Sequence, residues 1–278
     1  MRCKQFPIRK AGIFRPGKEI EGLRGAAQEN PKIDSARAEK TAFRMETGSD
    51  GGLHPCGRIL FMSEKQYVID ALTISDSWRM FKILAEFVDG FEALGDLYPA
   101  VSIFGSARVK PGDAVYEKTV LIAEKLARNG FNIITGGGPG VMEAGNKAAR
   151  ESGVKSVGLN IKLPLEQKPN PFSTVSLQFQ YFFVRKVMFV KYAQAYIAMP
   201  GGFGTMDEIF EALTLIQTRR LKPFPVILVG KDHWSGLLDW VRTTLLTGSY
   251  ISSEDLDLLT ILDDPDEVVH TIKKYVIV

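Results

Sequence analysis

The sequence predicts a doubly wound α/β fold, a parallel sheet with helices on both faces, behind an N-terminal helical extension. Three observations carry this. Short apolar runs recur at 100–105, 131–135, 154–161, 195–199 and 225–230. Segments of helical period separate them. Three of the runs end in small or glycine-rich turns, at 105–107, 136–140 and 200–205. Runs that are apolar nearly throughout are strands buried on both faces, and alternation with helices makes their order parallel.

The elements follow in order. Residues 1–62 are rich in Gly, Pro, Lys and Arg without a sustained period, and read as an irregular tail. One Rossmann-like domain is expected over 63–278. From 64 to 95 Val68, Leu72, Trp78, Phe81, Leu84, Phe87, Val88 and Phe91 recur at helical spacing. One or two helices there would lay an apolar face on the core or on a partner chain. AVSIFG (100–105) is the first strand, 113–129 a helix stopped by Asn129-Gly130, and FNIIT (131–135) the second strand. A helix over 140–152 and the strand VKSVGLNI (154–161) come next. Residues 162–173, with three prolines, form a loop, and TVSLQFQ (174–180) alternates as a further strand. A helix over 182–193, the strand AYIAM (195–199), a helix to about 218 and the strand PVILVG (225–230) follow. A helix near 234–247, a short strand near 258–262 and a helix from 265 close the chain.

Composition excludes several classes. A chain of 278 residues with 45% hydrophobic and 24% charged content is an ordinary globular protein. Residues 1–65 carry 13 Lys+Arg against 8 Asp+Glu, so the net +3 resides in the tail and the body is near neutral. A nucleic-acid partner is therefore not expected; a small anion held by local geometry is. Both cysteines, Cys3 and Cys56, lie in the N-terminal segment, which gives no disulfide framework for the body. No apolar run reaches the roughly 18 residues of a membrane span. The basic N-terminus lacks an apolar h-region, so a cytoplasmic location is expected. His54, His233 and His270 are scattered, without metal-ligand spacing, and no metal or organic cofactor is expected.

The chemistry should sit on the turns that follow strands. Glycine lets amides approach a phosphate closely, and the helix that follows contributes free N–H groups and a favourable dipole. One such turn is equally well a tight strand-to-helix connection; three at one sheet edge favour a phosphate site. GGGPG lacks the Lys-Ser/Thr of a P-loop, and neither GGGPGV nor GGFGTM completes G-x-G-x-x-G, so a mononucleotide is the simpler ligand. Glu208, three residues after Thr205, has two readings. It closes a capping box with Thr205, or it faces a ribose one turn inside a phosphate-binding helix. Asp207 reads as a solvated first-turn acid. Arg185 and Lys186 stand in the apolar stretch 182–190, where a cation needs a partner; a phosphate or Glu208 would serve.

These residues form a pattern. PGGFGTMDE (200–208) resembles the P-G-G-x-G-T-x-x-E signature of the Lonely Guy (LOG) family, often labelled "possible lysine decarboxylase". FVRKVMF (183–189) resembles its R-K-x-x-M motif, GGGPGVMEA (136–144) its first glycine loop, and FGSA (104–107) its first strand end. The resemblance covers roughly 98–250. It implies a Rossmann-like fold and hydrolysis of the N-glycosidic bond of a nucleoside 5′-monophosphate, a cytokinin riboside 5′-monophosphate or AMP. It places Arg185 and Glu208 as the catalytic pair. It puts Lys186, Glu166, Pro200, Gly201, Gly202, Phe203, Gly204, Thr205 and Met206 at substrate-binding positions. Ser106 and the turn holding Gly137, Gly138 and Gly140 would line the nucleotide pocket. It also implies a homodimer, sometimes assembled further. GVMEAG in place of the GLM-G of compact members, and some 95 residues before the first strand, point to a longer subgroup. Decarboxylation has no support, since no lysine has the context of a Schiff base. The alternative function is a non-catalytic nucleotide or molybdenum-cofactor carrier.

Overall fold

The computed structural model describes residues 76–163 and 168–276. The tail at 1–62, the start of the first helical stretch with Val68 and Leu72, and Glu166 lie outside the described residues.

The strands are β1 (Ala100–Phe104), β2 (Asn132–Thr135), β3 (Ser156–Ile161), β4 (Val175–Phe179), β5 (Tyr196–Ala198), β6 (Val226–Leu228) and β7 (Leu259–Ile261). They form one seven-stranded sheet in the order β4-β3-β2-β1-β5-β6-β7, with every neighbouring pair parallel. The chain winds outward from β1 to β4, then returns to the other side of β1 with β5. Ser102 of β1 thus lies opposite both Ile134 and Tyr196. This reversal is the topological switch point, where the loops leaving β1 and β5 diverge and open a crevice at the strands' carboxyl ends.

The helices are α1 (Asp76–Leu94), α2 (Ala114–Arg128), α3 (Val141–Glu151), α4 (Phe182–Tyr192), α5 (Phe203–Gln217), α6 (Lys231–Trp240) and α7 (Pro265–Tyr275). The long helix expected near 234–247 is α6 continued by a π-helical turn, Val241–Leu246. One face of the sheet buries Phe104, Tyr196, Met188, Phe189, Ile209 and Trp234 beneath α1, α4, α5 and α6. The other buries Ile103, Ile133, Ile122, Leu126, Val268 and Ile272 beneath α2, α3 and α7. Each such side chain stabilises the fold by roughly 1.5–3 kcal/mol. The alternating strand β4 stands at the sheet edge, where one face meets solvent.

The extension helix α1 packs on α4, and this packing positions the site. At Gly90 a β-carbon would sit 2.7 Å from Met188 Sδ, so glycine allows the two helices to close up. Tyr181, which precedes α4, offers no side-chain cap. The Glu86 carboxylate of α1 replaces it, accepting hydrogen bonds from Gln180 N at 2.8 Å and Tyr181 N at 3.3 Å. The opposite side of α1 carries Trp78, Phe81, Leu84 and Val88 into solvent, with Trp78 72% exposed. No helix among the described residues is long and apolar enough to cross a membrane.

Candidate active site

Three turns meet at the switch point, and backbone hydrogen bonds join them. Ser106 N, after β1, donates to Pro200 O, after β5, at 3.0 Å; Ser106 O accepts from Val141 N, at the start of α3, at 3.0 Å. Gly140 is required where the turns touch. Its φ is +71°, and a β-carbon would collide with Ser106 O and come within 2.9 Å of Ala107 Cα. Gly137, also at φ +71°, faces the Asn160 side chain in the same way.

A buried polar network holds the turn after β2. Thr135 Oγ1 donates to Asn146 Oδ1 at 2.6 Å and accepts from Gly137 N at 3.0 Å. Asn170 Nδ2 donates to Gly138 O at 3.0 Å and to Asn146 Oδ1 at 2.9 Å. The Pro-rich loop therefore pins the glycine turn from outside the motif. On the β5 side, His233 Nε2 lies 3.1 Å from Gly201 O and 3.3 Å from Gly201 N. Its ring meets that of Trp234 edge-on at 4.6 Å.

Between the turns lies a cavity of about 590 Å³. Its floor and walls come from the ends of β1, β2, β3 and β5 and from one face of α4. They include Ser106, Gly136, Gly138, Asn160, Gly202, Phe203, Gly204, Thr205 and Met206. The first turn of α5 lines it; Thr205 N and Met206 N donate to Gly202 O, and the amides of Phe203 and Gly204 before them have no intrahelical acceptor. Phe182, Phe189, Phe104, Met142 and Ile161 supply apolar wall. Phe203 stands at the mouth, 92% exposed.

Arg185 of α4 and Glu208 of α5 meet in this wall, Nη2 to Oε1 at 3.2 Å. Glu208 is 4% exposed, and the guanidinium lies over the rings of Phe182 and Phe189 at 5.2 and 5.7 Å. Burial pushes the Glu208 carboxyl up to about 7, against the lowering influence of Arg185 and Lys186. Burial likewise holds Arg185 below its ordinary value. The capping-box reading of Glu208 fails on local geometry. Helix α5 begins at Phe203 with Gly202 as its N-cap, so Thr205 is already inside the helix. The cation in the apolar stretch 182–190 has found Glu208 as its partner.

The predicted residues separate into groups. Arg185, Glu208, Ser106, Gly138, Gly202, Phe203, Gly204, Thr205 and Met206 line the cavity. Gly137, Gly140, Pro200 and Gly201 shape the turns behind that lining. Lys186 points elsewhere: its ammonium pairs with Asp207 at 2.9 Å and Glu211 at 3.0 Å. Asp207, expected as a merely solvated acid, is half-exposed and engaged in that pair. Glu166 lies outside the described residues. Arg108, Asn160, Asn170 and His233 were missed from sequence. Arg108 directly follows the turn at 105–107 and lines the cavity, whereas Asn160, Asn170 and His233 stand alone in their segments and reach the turns only through the fold. Among the described residues no three His, Cys, Asp or Glu converge to hold a metal ion.

The family described as "Possible lysine decarboxylase" matches residues 142–272. An uncharacterized protein of Archaeoglobus fulgidus is 32% identical over 123 residues, 42% of this chain and 77% of that one. The cytokinin riboside 5′-monophosphate phosphoribohydrolase of Mycobacterium marinum is 27% identical over 150 residues, 53% of this chain and 80% of the relative. The chain belongs to the LOG family. Among solved structures, the molybdenum cofactor binding protein of Rippkaea orientalis is similar, at 21% identity and a TM-score of 0.48, over 63% of this chain and 96% of that one. The four sequence motifs quoted above map onto the LOG chain as the end of β1, the turn after β2, helix α4, which sends Arg185 into the cavity wall, and the turn after β5.

Proposed function

We propose that this LOG-family chain is a phosphoribohydrolase that binds a nucleoside 5′-monophosphate, AMP or a cytokinin riboside 5′-monophosphate, and releases free base and ribose 5-phosphate. The observation that carries the reading is the buried Arg185–Glu208 pair in the wall of a cavity framed by glycine turns. A relative named for this activity supports it.

The phosphate sits on the first amides of α5, where partial positive charge concentrates, with the Ser106 hydroxyl beside it. The ribose then lies toward Arg185 and Glu208. The C1′–N bond breaks with its electron pair leaving on the base nitrogen, and positive charge grows on the sugar. The Glu208 carboxylate stabilises that charge and takes a proton from the water whose oxygen bonds to C1′. The base nitrogen collects a proton from solvent. A carboxyl that titrates near 7 suits this transfer at neutral pH. Arg185 keeps Glu208 ionised for part of the time and orients it. A second copy of the chain covers the apolar stripe formed by Trp78, Phe81, Leu84 and Val88 of α1.

Incubation with AMP and with a cytokinin riboside 5′-monophosphate, followed by chromatography for free base, tests the reading. Glu208→Gln should lower turnover by about 10²-fold or more while the nucleotide still binds. Binding by the wild-type chain without any base release would mark it as a carrier.

A further inference from the structure

We propose that Lys186 is a positioning residue: its ammonium, held between Asp207 and Glu211, clamps α4 to α5 and sets the Arg185–Glu208 pair in the cavity wall without touching the nucleotide. The inference rests on the reading above in one respect, that Glu208 is the working carboxylate.

Two consecutive residues of α4 reach two consecutive residues of α5. Arg185 meets Glu208 at 3.2 Å and Lys186 meets Asp207 at 2.9 Å. Lys186 also meets Glu211 at 3.0 Å, one turn further along α5. A slide of either helix by one residue would break every one of these pairs, so together they specify one register. The Lys186 side chain is only 16% exposed. It is absent from the cavity lining, which its neighbour Arg185 enters. Successive side chains on a helix diverge by about 100°, so a residue beside one that faces the ligand has to serve another surface.

The charges favour the same role. Asp207, Glu208 and Glu211 place three carboxylates on little more than one turn of α5, and two cations from α4 answer them. Lys186 neutralises the two that flank Glu208. Burial opposes its charge, but the hydrogen bond it donates to Asp207, the ion pair with Glu211 and the charge of Glu208 together outweigh that effect and hold its proton tightly. The groups facing Glu208 are Arg185 and Lys186 from α4, Asp207 and Glu211 from its own helix, and the buried Tyr196 hydroxyl from β5. Without Lys186, only Arg185 offsets the repulsion that the two flanking carboxylates exert on an ionised Glu208.

The test compares the wild type with Lys186→Met and Lys186→Arg, each checked by circular dichroism. Kinetics of base release from AMP are measured against pH. The Glu208 carboxyl is titrated directly by ¹³C NMR, its resonance assigned from Glu208→Gln. Lys186→Met should lower kcat about tenfold or more with KM within about twofold, and move the Glu208 midpoint upward by roughly half a pH unit or more. Lys186→Arg, which keeps the charge, should restore both. A large rise in KM with kcat and midpoint unchanged would make Lys186 a ligand contact and overturn the proposal. If the wild type cleaves no nucleoside monophosphate, the phosphoribohydrolase reading fails, and the titration still decides the role of Lys186. A midpoint that stays put in Lys186→Met refutes the clamp. Should Lys186→Met not fold, Asp207→Asn is titrated instead. Deleting the Asp207 charge by itself would lower the Glu208 midpoint; release of the ammonium should offset or reverse that fall, and a simple fall counts against the proposal.

Discussion

Replacing Glu208 by glutamine isolates the energetic cost of an ionised carboxylate in this wall. Glutamine has the size of the protonated acid and no charge to lose. The Glu208 carboxyl titrates at about 7 in the fold, against an ordinary value of 4.5. Its folded value is raised, so the folded state holds the proton more tightly than the open chain. The stability this contributes is complete below pH 4.5 and is lost as pH rises through about 7. Over that interval the wild type should give up about 3 kcal/mol relative to the variant, at 1.36 kcal/mol per pH unit of separation. Glu208 is 4% exposed, so solvent screening does little to reduce the effect. The assay is urea denaturation of both proteins from about pH 4 to 8. The difference between their unfolding free energies should be flat at the acid end, change by about 3 kcal/mol in favour of the Glu208→Gln variant, and level off above about pH 7.5. Parallel curves across the whole range would refute the reasoning, since Glu208 would then titrate alike folded and unfolded. Under the proposed mechanism, turnover should rise through the same midpoint.

Three further outcomes follow. Gly140→Ala forces a side chain into φ +71° and against Ser106 O, so it should destabilise by about 2 kcal/mol or more in denaturant titration and weaken nucleotide binding. Glu86→Ala removes the cap that α1 lends to α4 and should cost about 1 kcal/mol by the same measurement. Phe81→Arg together with Val88→Glu places charge in the exposed stripe of α1. Light scattering should show dimers for the wild type and monomers for the double variant, whose midpoint in denaturant at low concentration stays close to the parent's.

The sheet was legible because burial on both faces writes itself as a near-continuous apolar run; β4, legible as a strand by its alternation, takes its edge position only in the fold. The turns were legible because glycine marks close backbone approach, as at Gly140. Thr205 and Glu208 were ambiguous for a physical reason: T-x-x-E spacing suits a capping box and a buried acid alike. The start of α5 at Phe203 decides between them, and helix boundaries are what local sequence specifies least. Lys186 could not be separated from Arg185 by sequence, since adjacent residues share every local signal and differ only in which way the helix turns them. Asn170 and His233 act on the turns from 32 residues away in sequence, and nothing near them announces it.

The bonds that join the turns run from main chain to main chain, Ser106 to Pro200 and Ser106 to Val141. Beyond the glycine at Gly140, such links draw on no particular side chain. Under the proposed function, the phosphate cradle can therefore persist while the surrounding aromatic and aliphatic panels are exchanged. Descendants of one ancestor could keep the same grip on a sugar phosphate yet diverge freely in the heterocycle they admit. Selection for a new base would act on residues such as Phe182, Met142 and Ile161, leaving the frame intact.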